Sequence, residues 1–389
     1  LEKKLIETNP FEFNENAYVI ACVGNNGGTY EETIRMGYSK TAVILFEKIV
    51  NDRENEDILV YPLIYCARHS IELGLKIIAL SIKTICNKKK IDTDYNQLKS
   101  HDLLLLDKTI RLYYRIDKRI VEIYDNIYPL LKDYEFDKQG DAFKYRNNSI
   151  GNPHMSSNNI GSISLDLYMQ KYGIINKYIE KLIRLQDELI YEYSQGTFTK
   201  TLSRELIKEI SLLLPNKDKW HEPEFNKIKS DIKVKYKIGS KELSDAINII
   251  LRHREFSINI GDEIRIGNIA ENVLFNYMFF SKEYTTLRTN IDNKISQKEL
   301  YQNGNKIAGK FINSISKEEL IILYTFSEIT DYYSEEFDSL LSENEKTYVN
   351  EWDYKKIAER LLQRYVMVLK GLQKCGQKTY FETLYPEGG

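Results

Sequence analysis

The sequence predicts a predominantly all-α protein made of two helical domains, with at most minor β structure. Three observations carry this. Apolar residues recur at the i, i+3, i+4, i+7 spacing of a buried helix face through most of the 389 residues. One stretch, from about Ile58 to Cys86, is apolar over most of a helix's circumference and far longer than a strand. Ser with Glu three residues later, the mark of a helix start, occurs at Ser296 with Glu299, Ser316 with Glu319 and Ser342 with Glu345.

In chain order, AYVIACVG at 17–24 reads as a short strand or extended piece, followed by a flexible turn at Gly24, Asn25, Asn26, Gly27 and Gly28. Ser39 is a candidate N-cap for a helix that buries Ala42, Leu45, Phe46 and Ile49. The polar break NDRENED precedes the long helix 58–86, and the basic run 87–90 suits its C-terminus. His101 and Asp102 open a further helix expected to run past Arg119, continued by a Tyr-rich stretch to Leu131. Residues 137–164, rich in Gly, Asn and Ser, form a long excursion with room for a short hairpin. A helix over 165–193, with Leu167, Ile174, Ile175, Tyr178, Leu182 and Leu185 near one face, closes a first domain of residues 1–195. The polar connector 194–201 leads into a second domain, 196–389. There LSRELIKEISLLL and KELSDAINIILRHREFS read as helices, DIKVKYKIGS alternates with the period of a strand, and 354–374 forms the last helix.

Lys plus Arg (55) nearly balance Asp plus Glu (57), so no global basic field draws the chain to nucleic acid. Cys22, Cys66, Cys86 and Cys375 lie far apart, which fits neither a disulfide framework nor a zinc site. The polar, acidic opening LEKKLIETNPFEFNEN is no signal peptide, and charges at 68, 69, 72, 76 and 83 break the longest apolar run as a membrane span. The expectation is a cytoplasmic protein with no membrane, metal or cofactor. Gly24-x-x-Gly27-Gly28 lacks the Lys-Ser or Lys-Thr of a phosphate loop, and Arg252, His253 and Arg254 read as a basic helix end.

Chemistry concentrates on the long helix. At about 100° per residue, Arg68, Glu72, Lys76 and His69 fall at about 0°, 40°, 80° and 100°, one polar stripe on an otherwise apolar cylinder. Glu72 and Lys76 form an i, i+4 ion pair, and His69 meets Glu72 at i, i+3. Such a stripe is either an ion-paired face or the wall of a cleft or interface. His101 with Asp102 is either a cap beside a packing histidine or an anion-binding pair at a helix start.

CARHSIELGLK at 66–76, with HDL at 101–103, resembles the helical core of HEPN (higher eukaryotes and prokaryotes nucleotide-binding) proteins. DAFKYRNNSIG at 141–151 resembles the aromatic, basic segment that follows in one bacterial branch, and the resemblance spans residues 35–195. It implies an up-and-down helical bundle and an RNA-directed effector or sensor of antiphage or toxin type. It also implies RNA as a partner, a homodimer or a larger complex with operon partners, and metal-independent ribonuclease activity. In that chemistry His serves as acid or base while Arg stabilises the transition-state charge. The chain departs from the family's Arg-polar-spacer-His motif: Arg146 and Asn147 are followed by His154, but seven residues, including Gly151 and Pro153, separate Arg146 from His154, whereas Arg68 and His69 are adjacent. Two alternatives follow. A variant catalytic site draws on Arg68, His69, His101 and Arg146, with Glu72, Lys76, Asp102, Lys144, Tyr145 and His154 binding; or the bundle has lost catalysis and serves as a helical interaction subunit. A nucleotide-sensing module is a third, and needs a pocket between the bundle and residues 140–160.

Overall fold

A computed structural model describes residues 9–13, 15, 17–24, 30–289 and 297–386, and among them the chain is helical with no sheet. It divides into two units, residues 1–83 with 93–186 and residues 84–92 with 187–389.

In the first unit, helix α1 (Glu31–Asp52) begins at two acidic residues that suit its N-terminal dipole. Ser39 is therefore mid-helix rather than a cap: it is buried, and its hydroxyl accepts from Tyr172 at 2.7 Å. Helix α2 (Glu56–Lys88) is the long apolar helix, and Leu63, Ala67, Ile71, Leu75, Ile78 and Ile82 make its fully buried ridge. The Tyr-rich run does not form one helix. Asp102 caps α3 (Leu103–Arg111), and Asp117 restarts the chain as α4 (Lys118–Tyr124) by accepting from Arg119 N at 2.9 Å. Pro129 then sits at the start of the single turn α5 (Tyr128–Leu131).

The excursion holds one antiparallel bridge, Asn147 with Pro153, and the turn α6 (His154–Ser157). Helix α7 (Leu165–Ser194) buries Tyr172, Ile175, Ile179 and Leu182, whereas Leu167 and Ile174, expected on the inner face, are exposed. Ala17–Val23 is exposed and forms no strand, as a lone extended segment has no neighbour to satisfy its backbone. Residues 25–28 of the expected turn lie outside the described residues.

The second unit contains α8 (Arg204–Leu213), α9 (Pro223–Tyr236), α10 (Ser240–Arg252) and α11 (Arg254–Ser257) around Ile207, Ile210, Ile250 and Phe256. The strand expected at 231–240 is the end of α9: Phe225, Ile228 and Ile232 supply a helical stripe, and Val234 points to solvent. The basic cluster at 252–254 is partly neutralised within the fold, since buried His253 faces Glu335 at 2.9 Å and Arg254 pairs with Asp338 at 2.9 Å.

Among the described residues, seven α-helices complete the unit: α12 (Glu271–Thr289), α13 (Gln297–Ile312), α14 (Lys317–Glu328), α15 (Phe337–Thr347), α16 (Glu351–Gln363), α17 (Tyr365–Lys374) and α18 (Lys378–Leu384). Ser316 and Glu319 form the expected capping box. Ser342 lies inside α15, Ser296 lies outside the described residues, and the last expected helix is split at Arg364. The backbones of α14 and α17 touch: a Cβ on Gly371 would sit 1.9 Å from the Phe326 carbonyl oxygen. Among the described residues no helix is long and apolar enough to cross a membrane.

Candidate functional site

The polar stripe of α2 is organised around one buried carboxylate. Glu72, 2% exposed, accepts from Lys76 Nζ at 2.8 Å and pairs with His101 Nδ1 at 2.9 Å through Oε1. Its Oε2 accepts from Arg68 Nη1 at 3.2 Å and lies 3.9 Å from His69 Nδ1. Burial by itself raises the Glu72 pKa, but His69, Lys76 and His101 together outweigh it and hold the group at about 2. Glu72 is therefore an anion at neutral pH and can only accept hydrogen bonds. That fixes the His101 tautomer: Nδ1 carries the hydrogen and donates to Glu72, and the neutral ring keeps its lone pair at Nε2.

The side chains around this carboxylate differ in access. His101 is 56% exposed and His69 and Lys76 about a quarter exposed, at 24% and 23%. His69 stacks on Tyr65 with ring centroids 5.7 Å apart and meets the edge of Tyr38 at 4.5 Å. Two imidazoles and an ammonium group thus share one charged anchor and remain reachable from outside.

Arg68 is placed differently. It is 2% exposed, and Nη2 donates to the carbonyls of His101 at 2.7 Å and Asp137 at 2.8 Å. Nε lies 2.8 Å from Asp137 Oδ2, an ion-pair contact without hydrogen-bond alignment. The other Asp137 oxygen accepts from the backbone of Asp141 at 3.0 Å and Ala142 at 3.1 Å, so the start of the excursion wraps around it. Arg68 fastens that turn and the His101 backbone, just ahead of the α3 cap, to the long helix.

Gly140 completes the turn with φ +70°, and a Cβ there would sit 2.6 Å from Arg68 Nη1. Gly140→Ala is expected to destabilise the chain by about 1–3 kcal/mol, from backbone strain and displacement of the guanidinium. Urea unfolding measures it, and a loss below about 0.5 kcal/mol would mean that Arg68 has another place to lie.

Comparison with known protein families, curated proteins and solved structures returns no match. The geometry of the chain is accordingly the basis for its function.

Of the sequence-derived site residues, Arg68, His69, Glu72, Lys76 and His101 converge. Asp102 serves as the cap of α3, accepting from Leu104 N at 2.9 Å and Leu105 N at 3.3 Å, which occupies the helix start that an anion would need. Lys144 and Tyr145 border the cluster: the Lys144 ammonium lies 5.9 Å from the Tyr65 ring and 5.3 Å from the Tyr145 ring. Arg146 is exposed and makes no side-chain hydrogen bond or ion pair among the described residues. His154 is buried, with Nε2 3.5 Å from Asp141 Oδ1, apart from the cluster. Among the described residues no group of three His, Cys, Asp or Glu side chains could hold a metal ion.

Sequence reasoning missed Asp137, Gly140, Tyr38 and Tyr65. An Asp three residues before a Gly is a turn signal, and Tyr65 lies four residues before His69 on the helix, so both had a local trace. Nothing local joins Asp137 to Arg68.

Proposed function

We propose that this chain is an RNA-directed effector or sensor of bacterial defence type whose phosphodiester-handling groups are His69, His101 and Lys76. The observation that carries the proposal is the pair of accessible imidazoles sharing the charged Glu72 carboxylate, with the Lys76 ammonium 2.8 Å from it. His101 Nε2 holds a lone pair suited to removing the proton of an RNA 2′-hydroxyl as that oxygen attacks phosphorus. The P–O5′ bond breaks, and protonated His69 supplies the proton for the departing 5′-oxygen, leaving a 2′,3′-cyclic phosphate. Lys76 keeps N–H donors beyond the one given to Glu72, and these stabilise the extra negative charge. Arg68 supports the site by holding its backbone.

A second class, a non-catalytic helical interaction subunit, is favoured by a specific observation: the two charges at the centre of the stripe, Arg68 and Glu72, are spent on internal bonds. Cleavage of RNA by the purified chain, alone and with its operon partners, separates the two. His69→Ala and His101→Ala are each expected to lower the cleavage rate about 100-fold or more; the unfolding midpoint should barely move in His101→Ala, whose ring is 56% exposed, and drop modestly in His69→Ala, which loses its packing on Tyr65 and Tyr38. Unchanged cleavage in both variants would sink the acid–base assignment. Uncut RNA under every condition, with assembly lost in the same variants, would favour the interaction subunit.

A further inference from the structure

The first unit contains a second feature that the phosphodiester site does not use. Beneath the excursion lies a cavity of about 230 Å³, walled by Ile64, Tyr134, Phe136, Phe143, Ile163 and Tyr168. A neighbouring cavity of about 310 Å³ shares Phe143, Ile160 and Ile163 with it. An apolar cavity of about 150 Å³ is enough to hold benzene. The first cavity therefore has room for an aromatic ring carrying two or three further heavy atoms.

Its lining is selective in three ways. Most of the wall is aliphatic or aromatic, which favours an apolar body. Lys171 is the only cation among the residues lining either cavity, and Asp133 holds it at 2.7 Å; Glu56 and Asp57 stand at the neighbouring cavity. A phosphate or carboxylate would have to draw Lys171 away from Asp133, so the apolar wall favours an uncharged occupant. The third feature is a polar handle. Tyr134 donates its hydroxyl hydrogen to Tyr168 at 3.1 Å, and the Tyr168 hydrogen has no acceptor among the described residues. A tyrosine hydroxyl keeps its hydrogen at neutral pH, so Tyr168 is able to donate it.

We propose that this cavity is a binding site for a small, uncharged, largely apolar molecule that carries one hydrogen-bond acceptor, received by the Tyr168 hydroxyl. The site stands on its own geometry, independent of the RNA proposal. Phe136 and Phe143 flank the Asp137 turn, and Ile64 lies one turn before Arg68 on α2.

Two ring compounds of nearly equal shape test it on the full chain by calorimetric titration: acetophenone, which has a carbonyl acceptor, and ethylbenzene, which has none. The native chain is expected to bind both, acetophenone about threefold to tenfold more tightly, the worth of one hydrogen bond. Tyr168→Phe keeps the volume and should erase that preference while ethylbenzene binds as before. Ile163→Trp fills the space and should abolish binding of both; if that variant does not fold, the Tyr168→Phe comparison still decides. Absence of binding by either compound at its solubility limit overturns the proposal, as does an acetophenone preference that survives in Tyr168→Phe.

Discussion

Arg68→Ala is expected to cost about 3–5 kcal/mol of folding stability, the largest single effect among the site residues. The substitution leaves Asp137 and Glu72 without the guanidinium that neutralises both, and it frees the carbonyls of His101 and Asp137 that Nη2 holds. Arg68→Lys should recover only part of the loss, because an ammonium group cannot span two carbonyls and two carboxylates in one plane. Urea unfolding monitored by circular dichroism gives the value. A loss below about 1 kcal/mol would show that the excursion is held by something other than Arg68. One consequence concerns interpretation: loss of RNA cleavage in Arg68→Ala would report a disordered site, so His69 and His101 are the informative positions.

Glu72→Gln is expected to cost about 3 kcal/mol at neutral pH, and that cost should vanish in acid. The folded-state pKa of about 2 lies below the ordinary value of 4.5, so the ionised carboxylate stabilises the fold. Its contribution is complete above about pH 4.5 and is lost as pH falls through about 2. Between those limits the native chain should lose stability relative to Glu72→Gln, because the amide has no charge to lose. The groups facing the carboxylate are Arg68, His69, Lys76 and His101, and each favours the anion when it is positively charged or donates a hydrogen bond. Unfolding midpoints of both proteins at pH 7, 4 and 3 test this. A difference that stays constant across the series would mean that Glu72 does not titrate as described.

Much of the first unit was legible locally. The long helix, the one-sided placement of Arg68, His69, Glu72 and Lys76, the Glu72–Lys76 pair and the Asp102 cap all follow from spacings of two to four residues. The errors also have local causes. Residues 231–238 alternate like a strand, yet Phe225, Ile228 and Ile232 extend a helical stripe that began earlier in the chain. The Tyr-rich run after Asp102 is apolar enough for one helix, but Asp117 and Pro129 restart it. Arg35 of α1 is fully buried; its pair with Glu32 at 2.8 Å is local, but its bond to Asn176 at 2.6 Å reaches a helix more than a hundred residues away, which no local spacing records.

By itself, then, the sequence determined an all-α chain and placed an arginine, a histidine, a glutamate and a lysine on one face of its longest helix. Helical periodicity encodes which side chains share a face, and that information is local. Only the tertiary structure decided that Arg68 is an internal fastener, that His101 rather than Arg146 joins the stripe, and that an apolar cavity lies under the excursion. The 69-residue separation of Arg68 from Asp137 explains why. Burial and pairing across such distances depend on how the helices pack, and no spacing along the chain records that.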